Sequence, residues 1–377
     1  MMYFLGVKLF TMSISDMILI YDIIETRYKF IKKEMDKSNM LDDLSKYGIE
    51  YPELCVDIVN YFRNDKIQSM RYEQIKLRLG DGLAAKTAKS TLDFAEHYKT
   101  KYKELDRQDT ILQPKTISKI CNRLCDIGLL TRIHIAGFNT LLGDEYYYEI
   151  PTNIPNTITY QKCLNNMVYG FKYIYESYKD NVLPIHVYNK ETRKQQTGTC
   201  FKTNIGIVTA YHCLENQDYA QIPNISADIL NKSQILTSSG IDLLLIIPPR
   251  EYYNFEDYIE EGTGEIIDEI MVMGYPNHAG FDKFLTATTG QIAARKGSYL
   301  CKYELLLLTG KIKGGNSGGP VLNNKGQLVG VVTEVPDPDG DYDKFGYGLA
   351  IPSEYIKNMT ELYDRKITFV DDISLYT

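Results

Sequence analysis

The sequence has no tryptophan, only five histidines and no long uninterrupted apolar run. A membrane-spanning helix needs about 20 consecutive apolar residues, whereas Lys8, Asp16 and Asp22 interrupt the apolar N-terminus. That segment also lacks the basic start and small-residue cleavage site of an export signal. Zinc-type spacings of Cys and His, glycine-rich phosphate loops and internal repeats are missing as well. We therefore expect no membrane anchor, no metal and no cofactor.

Cysteine occurs seven times, an odd number without the regular spacing of a disulfide framework. This pattern favours a reducing compartment, so we predict an intracellular, cytoplasmic protein. The net charge of −7 does not indicate a nucleic-acid-binding protein as a whole. A local basic face can nevertheless be hidden within such a total.

One segment indicates chemistry: residues 314–320 read Gly-Gly-Asn-Ser-Gly-Gly-Pro. Glycines on both sides of Ser317 favour a turn that presents the hydroxyl group and directs backbone N–H groups inward. An acyl-transfer enzyme needs such a nucleophile and such donors for the developing oxyanion. A β-turn with a surface serine is the reading that the segment alone favours, so the decision depends on its partners.

A serine nucleophile needs a histidine as base and a carboxylate that orients the histidine. His212 follows an apolar, β-branched run at residues 206–210, which predicts a buried strand. Asp242 precedes the apolar run at residues 243–247, where a charge must be paired, hydrogen-bonded or left at the exposed end of the strand. Taken singly, each residue is more often structural.

Together these segments resemble the chymotrypsin-like serine proteases, most closely their Deg/HtrA-like branch. The resemblance covers residues 183–360, about half of the chain. It implies an all-β double β-barrel and peptide-bond hydrolysis through an acyl-enzyme. The matching segments, in the order of the family, are residues 197–201, 209–213, 241–245, 273–276, 315–320 and 346–352.

The same resemblance assigns roles to individual residues. Ser317 would be the nucleophile, His212 the general base and then the general acid, and Asp242 the group that orients His212. The backbone N–H groups of Gly315 and Ser317 would form the oxyanion hole. Lys311 lies near the floor of the specificity pocket in this family, where it either favours acidic substrates or turns outward into solvent.

Two cysteines flank the histidine strand. Extracellular relatives often carry a disulfide at the positions of Cys200 and Cys213. The sequence leaves open whether these two thiols are bridged.

The N-terminal half has a different pattern, which resembles the winged-helix form of the helix-turn-helix. Helical patterns cover residues 52–62, 69–79, 87–105 and 113–130, and a β-hairpin is predicted with strands at 131–135 and 145–150. In that family the last helix enters the major groove. DNA binding, protein docking and simple packing all stay open as roles. The candidate contact residues are Lys115, Thr116, Ser118, Lys119, Asn122 and Arg123.

With 377 residues, the chain exceeds one typical domain. We predict a helical extension at 1–50, a mainly α winged-helix-like domain at 51–150, a linker and connector helix at 151–182, and a protease domain at 183–377. The segment after residue 352 is too short for the PDZ domain of many Deg-like relatives. The predicted function is a serine endopeptidase that acts on proteins or peptides and is directed to DNA or a protein partner by its N-terminal module. The alternative is a catalytically silent scaffold or DNA-binding regulator.

Overall fold

The computed structural model of the chain divides into two compact units, Met1–Gln161 and Lys162–Thr377. The structure describes residues 44–63, 89–91, 94, 97–98, 101, 112–133, 146–149, 158–189, 192–217, 219–238, 240–249, 251, 258–277, 282–297, 303–334 and 346–367. Its helices are α1 Leu44–Glu50, α2 Leu54–Phe62, α3 Leu112–Asp126, α4 Ile158–Tyr169, α5 Phe171–Tyr178, α6 Ala227–Lys232 and α7 Glu354–Ile367. In the described part of the chain, none of these combines the length and apolar character needed to cross a bilayer.

The strands of the first unit are β1 Lys89–Ser90, β2 Leu130–Ile133 and β3 Tyr146–Glu149. Those of the second unit are β4 Val182–Asn189, β5 Lys194–Lys202, β6 Ile207–Ala210, β7 Tyr219–Gln221, β8 Gln234–Ser238, β9 Leu243–Ile247, β10 Glu269–Gly274, β11 Thr286–Gly297, β12 Glu304–Leu308, β13 Pro320–Asn323, β14 Leu328–Thr333 and β15 Gly348–Pro352.

The first unit is built from α2, α3 and a small antiparallel sheet with the strand order β1-β3-β2. Apolar residues at helical spacing explain the packing of α3, because Ile117, Ile120 and Leu124 are fully buried. The helix ends at Asp126, just before Gly128, the glycine inside the predicted range 113–130 at which a stop is expected. Gly128 adopts a positive φ of 77°, which an α-helix does not allow.

One strand of this sheet contradicts the start of the helix predicted over residues 87–105, although Thr91, Phe94 and His97 within that range are helical. Lys89 and Ser90 form β1 and pair with Tyr147 and Tyr146 on the outer edge of the hairpin. Pairing with that edge satisfies backbone groups that a helical pattern alone cannot reveal. The helix predicted at 69–79 and the hairpin loop lie outside the described residues.

The second unit contains a closed barrel in the strand order β10-β11-β12-β15-β14-β13 and a six-stranded sheet in the order β7-β4-β5-β6-β9-β8. The predicted double β-barrel is therefore only half closed among the described residues. Strand β7, only three residues long, pairs with β4, and β8 pairs with β9; each of these end strands pairs on one edge only among the described residues. The sheet and the barrel share one apolar core, in which Phe201 and Val208 lie with Met271 and Leu322.

Two short helices precede the sheet where one connector helix is predicted at 159–179. The helix breaks at Gly170, whose φ of 77° lies in the left-handed region. From α4, the buried Asn166 donates a hydrogen bond from Nδ2 to the carbonyl oxygen of Lys325 at 2.6 Å. This contact anchors α4 to the turn between β13 and β14.

The anchor makes Gly326 a sensitive position. Gly326 and Gly346 have φ values of 73° and 69°, so alanine costs roughly 1–2 kcal/mol at either one. At Gly326 the added methyl group would collide with Asn166, whereas at Gly346 no described residue lies within 4 Å of the added methyl group. Overpacking of that kind adds about 1–3 kcal/mol. We expect Gly326→Ala to lower the midpoint of denaturant unfolding clearly more than Gly346→Ala; equal midpoints would contradict the anchor.

Candidate active site

His212 is positioned by the end of a buried strand. All four residues of β6 are buried, and the 3₁₀ turn Tyr211–Cys213 follows directly. The N–H of Tyr211 donates to the carbonyl oxygen of Asp242 at 3.1 Å, which fixes the turn against the segment before β9. The imidazole Nδ1 lies 2.7 Å from Asp242 Oδ2, and the His212 side chain remains 31% exposed.

The Asp242 carboxylate accepts three hydrogen bonds. Oδ1 accepts from the backbone N–H of His212 at 2.8 Å, while Oδ2 accepts from His212 Nδ1 and from the hydroxyl group of Thr333. These donors compensate a charge whose side chain is only 14% exposed. Asp242 also has a φ of 58°, a left-handed conformation that aspartate tolerates better than most residues.

Thr333 was not identified from the sequence. It is the last residue of β14 and is buried. Its only sequence signal is a hydroxyl group at the end of an apolar strand, which many core strands share. The contact with Asp242 spans 91 residues and is created by the packing of the barrel on the sheet.

The glycine-framed serine lies on a tightly held loop before β13. Its backbone carbonyl accepts from the N–H of Thr199 at 2.9 Å and from Cys213 Sγ at 3.5 Å. Gly318, with a φ of 82°, donates its N–H to the carbonyl oxygen of Val332 at 2.7 Å. Ser317 is therefore held beside the residue that follows His212. In the described part of the structure, no hydrogen bond joins Ser317 Oγ to His212, and such bonds often form only when substrate is bound.

The amide groups around Ser317 form a second feature of the loop. The N–H of Asn316 donates to the carbonyl oxygen of Lys313, and the carbonyl oxygen of Gly314 accepts from the N–H of Asn277 at 2.8 Å. Among the described residues, the N–H groups of Gly315 and Ser317 have no hydrogen-bond acceptor. The loop thus offers two backbone donors to an oxygen atom of a bound molecule.

The pKa of His212 is the net result of opposing effects. Burial lowers this pKa, but the hydrogen bond to Asp242, a further one to Cys213 and the charges of both partners outweigh burial. The result is a pKa raised above the ordinary 6.5. The imidazolium form is therefore favoured by its surroundings.

Lys311 lies outside this cluster. The side chain of Lys311 is exposed, which agrees with the outward alternative, and its carbonyl oxygen accepts from Thr288 Oγ1 at 3.2 Å. The neighbouring Ile312 instead packs on Gly348, where an added Cβ would collide with it. Cys200 and Cys213 are both free thiols.

Several candidate contact residues on α3 are used inside the first unit. Thr116 and Ser118 are buried, and Ser118 Oγ lies 3.2 Å from the hydroxyl oxygen of Tyr147. Tyr147 also donates a hydrogen bond to Asn122 Oδ1 at 3.0 Å. Arg123 is exposed and lies 3.9 Å from Asp126. Lys119 is partly exposed, and the side chain of Lys115 lies outside the described residues.

Comparison with known families decides what the second unit is. Residues 196–331 match the family model described as a trypsin-like peptidase domain. The chain contains a trypsin-like peptidase domain. Within that stretch lie His212 and Asp242 on the sheet and Ser317 at the entry to the barrel strands.

Curated relatives of the trypsin-like peptidase domain are proteases. A probable periplasmic serine endoprotease DegP-like of Buchnera aphidicola subsp. Schizaphis graminum is 32% identical over 158 residues, which is 41% of this chain and 32% of the relative. The periplasmic serine endoprotease DegP of Escherichia coli strain K12 is 41% identical over 78 residues, 20% of this chain and 16% of DegP. The chain thus spans about a third or less of these relatives. Family model and relatives together support a serine-type endopeptidase.

Among solved structures, the serine endoprotease from Yersinia pestis is 22% identical, with a TM-score of 0.36. The match covers 51% of this chain and 65% of that protein. A TM-score this low adds nothing to the assignment of the trypsin-like peptidase domain.

The prediction of a cytoplasmic, intracellular protein is wrong, because relatives are named as periplasmic proteases. That prediction was based on the number and spacing of the cysteines. In the structure, Cys55, Cys121, Cys200 and Cys213 are all buried. Since burial in apolar surroundings keeps a thiol unreactive, an irregular cysteine count does not report the compartment.

The hydrogen bond between Asp242 and His212 can be tested by titration. We expect the pKa of His212, followed by NMR of its imidazole resonances, to lie above 6.5 and to fall in Asp242→Asn, because the neutral amide no longer stabilises imidazolium. Asp228→Asn is the matched control, since Asp228 is exposed on α6 and pairs with Lys232. An unchanged His212 pKa in Asp242→Asn would contradict the assignment.

Proposed function

We propose that the second unit hydrolyses peptide bonds through an acyl-enzyme with Ser317, His212 and Asp242 as its triad. The observation that carries the proposal is the 2.7 Å contact between His212 Nδ1 and Asp242 Oδ2. Cys213, the residue after His212 in the same turn, donates a hydrogen bond to the backbone carbonyl oxygen of Ser317. The two amide N–H groups of Gly315 and Ser317 support it further. The relatives' names support the same reaction class.

In the proposed reaction, Ser317 Oγ attacks the substrate carbonyl carbon while its proton passes to Nε2 of His212. The carbonyl oxygen becomes an oxyanion, which accepts hydrogen bonds from the N–H groups of Gly315 and Ser317. His212 then returns the proton to the leaving amine as the C–N bond breaks. Water hydrolyses the resulting ester by the reverse proton path, and Ser317 is restored.

Asp242 and Thr333 serve this reaction without touching the substrate. Asp242 holds Nδ1 of His212 as the protonated nitrogen, so that Nε2 faces the nucleophile as the base. The Thr333 hydroxyl group occupies the other side of Oδ2 and keeps the carboxylate oriented. Because the His212 pKa is raised to about 10, the neutral base becomes abundant only as the pH approaches that value.

A catalytically silent scaffold is the competing function. A scaffold needs a folded surface but no convergence of an imidazole, a compensated carboxylate and unpaired amide donors. These groups come from separate elements of the unit, β6, the segment before β9 and the loop before β13. Their placement around one serine therefore favours the enzyme.

We also propose that the first unit is a winged-helix-like module that docks a protein partner. Its element order, α2, β1, α3, β2 and β3, and its sheet order support the winged-helix arrangement. Protein docking is favoured over DNA readout because Asn122 and Ser118 bind the buried Tyr147 hydroxyl group. A side chain held in this way is not available to a base edge.

The nucleophile assignment has a direct test. Ser317→Ala should abolish labelling by a fluorophosphonate probe and reduce cleavage of unfolded casein by about 10⁴-fold or more, since the attacking oxygen is removed. Ser226→Ala is the control, because Ser226 is an exposed N-cap of α6. Equal labelling of wild type and Ser317→Ala would exclude Ser317 as the nucleophile, and absent labelling of both would favour the scaffold.

The role of the first unit is tested on the full chain carrying Ser317→Ala. In a gel-shift experiment with mixed-sequence duplex DNA at low salt, we expect no complex, because the polar side chains of α3 are engaged internally. A shift that weakens steeply with added salt, and that is lost in Lys119→Ala with Arg123→Ala, would instead support DNA binding.

A further inference from the structure

Thr199 is a fully buried residue of β5 that binds the nucleophile loop through two of its polar groups, its hydroxyl group and its backbone N–H. Its Oγ1 donates to the carbonyl oxygen of Gly315 at 2.7 Å, and its backbone N–H donates to the carbonyl oxygen of Ser317 at 2.9 Å. Oγ1 also accepts from the N–H of Tyr275, at the end of β10, at 2.9 Å. One side chain of the sheet thus connects the loop to the barrel.

These bonds act on the two residues whose N–H groups are the proposed oxyanion donors. A peptide unit is planar, so fixing a carbonyl oxygen fixes the rotation of the unit that contains it. The units that carry the two donor N–H groups are fixed by the N–H of Asn277 on the Gly314 carbonyl oxygen and by the N–H of Gly319 on the Asn316 carbonyl oxygen. Thr199 fixes the units on the other side of Gly315 and Ser317, so that both sides of each donor residue are held. Gly315 has a φ of 100°, one of many conformations open to glycine, so the hydrogen bonds rather than a backbone preference select it.

The loop has little room to move away from Thr199. A Cβ at Gly318 would collide with the carbonyl oxygen of Thr199 and the hydroxyl group of Thr209, and one at Gly274 would lie 3.0 Å from Thr199 Oγ1. Thr209 in turn donates from Oγ1 to the carbonyl oxygen of Thr199 at 2.7 Å. Thr199, which holds the loop, is therefore itself held by Thr209 on the neighbouring strand of the sheet.

We propose that Thr199 is a positioning residue that directs the N–H groups of Gly315 and Ser317 to the place where the oxyanion forms. This inference rests on the proposed acyl-enzyme function. Thr199 acts only through the loop and does not touch the substrate. Its contribution should therefore appear in the rate of the covalent step rather than in substrate binding.

The test compares Thr199→Val, which keeps the shape but lacks the hydroxyl group, with Thr199→Ser, which restores it. Saturation kinetics with the fluorophosphonate probe separate the rate of covalent labelling from the probe's binding constant. We expect the labelling rate of Thr199→Val to fall by about 10- to 100-fold, somewhat less than the loss of a whole oxyanion donor. The binding constant should change by less than about two-fold, and Thr199→Ser should keep most of the rate.

Thr203→Val is the matched control. Thr203 is also buried, and its Oγ1 donates to the carbonyl oxygen of Gly206 at 2.9 Å, within its own turn. A structural loss common to buried threonines would lower the labelling rate in both variants, and that result would overturn the proposal. An unchanged labelling rate in Thr199→Val would overturn it as well.

Hydrogen exchange of residues 312–320 provides an arm that does not need activity. We expect faster exchange there in Thr199→Val than in wild type or Thr203→Val, and unchanged exchange in this segment would overturn the positioning role. If wild type does not react with the probe, the proposed function fails, while exchange still decides whether Thr199 holds the loop. Thr199→Ala is the second variant without a hydroxyl group, should Thr199→Val not fold.

Discussion

The organisation of the second unit depends on the compensation of one carboxylate. Asp242 is mostly withdrawn from water, and an ionised group in that position costs several kcal/mol unless hydrogen bonds replace its hydration. The donors come from the turn after β6, from the His212 ring and from Thr333 at the end of β14. Because Thr333 belongs to the barrel and Asp242 to the sheet, the carboxylate is satisfied only when the two are packed together. The carboxylate that orients the imidazole therefore also helps to join the sheet to the barrel, through its hydrogen bond with Thr333.

The nucleophile loop is governed by close approach of backbone to backbone. Gly318 and Gly319 leave no space for a side chain, since an added Cβ would meet the carbonyl oxygens of Thr199 and Met273. Val332 donates its N–H to the carbonyl oxygen of Gly319 and accepts, at its own carbonyl oxygen, from the N–H of Gly318. Strand β14 therefore holds the loop through Val332, the residue directly before Thr333. One strand end thus positions the serine and the carboxylate at the same time. Glycine therefore flanks Ser317 because a side chain would not fit, and a need for flexibility is not required to explain it.

Local patterns were enough to predict the strands that carry His212 and Asp242 and the turn that carries Ser317, because each depends on residues adjacent in the chain. Contacts between distant segments were not predictable in this way. The partner of Asp242 is 91 residues away at Thr333, and the partner of Thr199 is 116 residues away at Gly315. A threonine in an apolar strand has the same local pattern whether its hydroxyl group faces a loop, a carboxylate or its own backbone. The short strand Lys89–Ser90 was missed for the same reason, since only the hairpin beside it makes it a strand.

In the first unit, the buried side of α3 bears on what this helix can contact. The hydroxyl group of Tyr147 is buried between α3 and the hairpin, and a buried hydroxyl group needs partners. Ser118 and Asn122 supply them, so two side chains of α3 stabilise the packing of helix on sheet. With Ser118 and Asn122 held in this way, α3 has fewer side chains available to contact a base edge. Fold and function separate at this point, and the surface of the unit must be judged by its remaining exposed charges rather than by its topology.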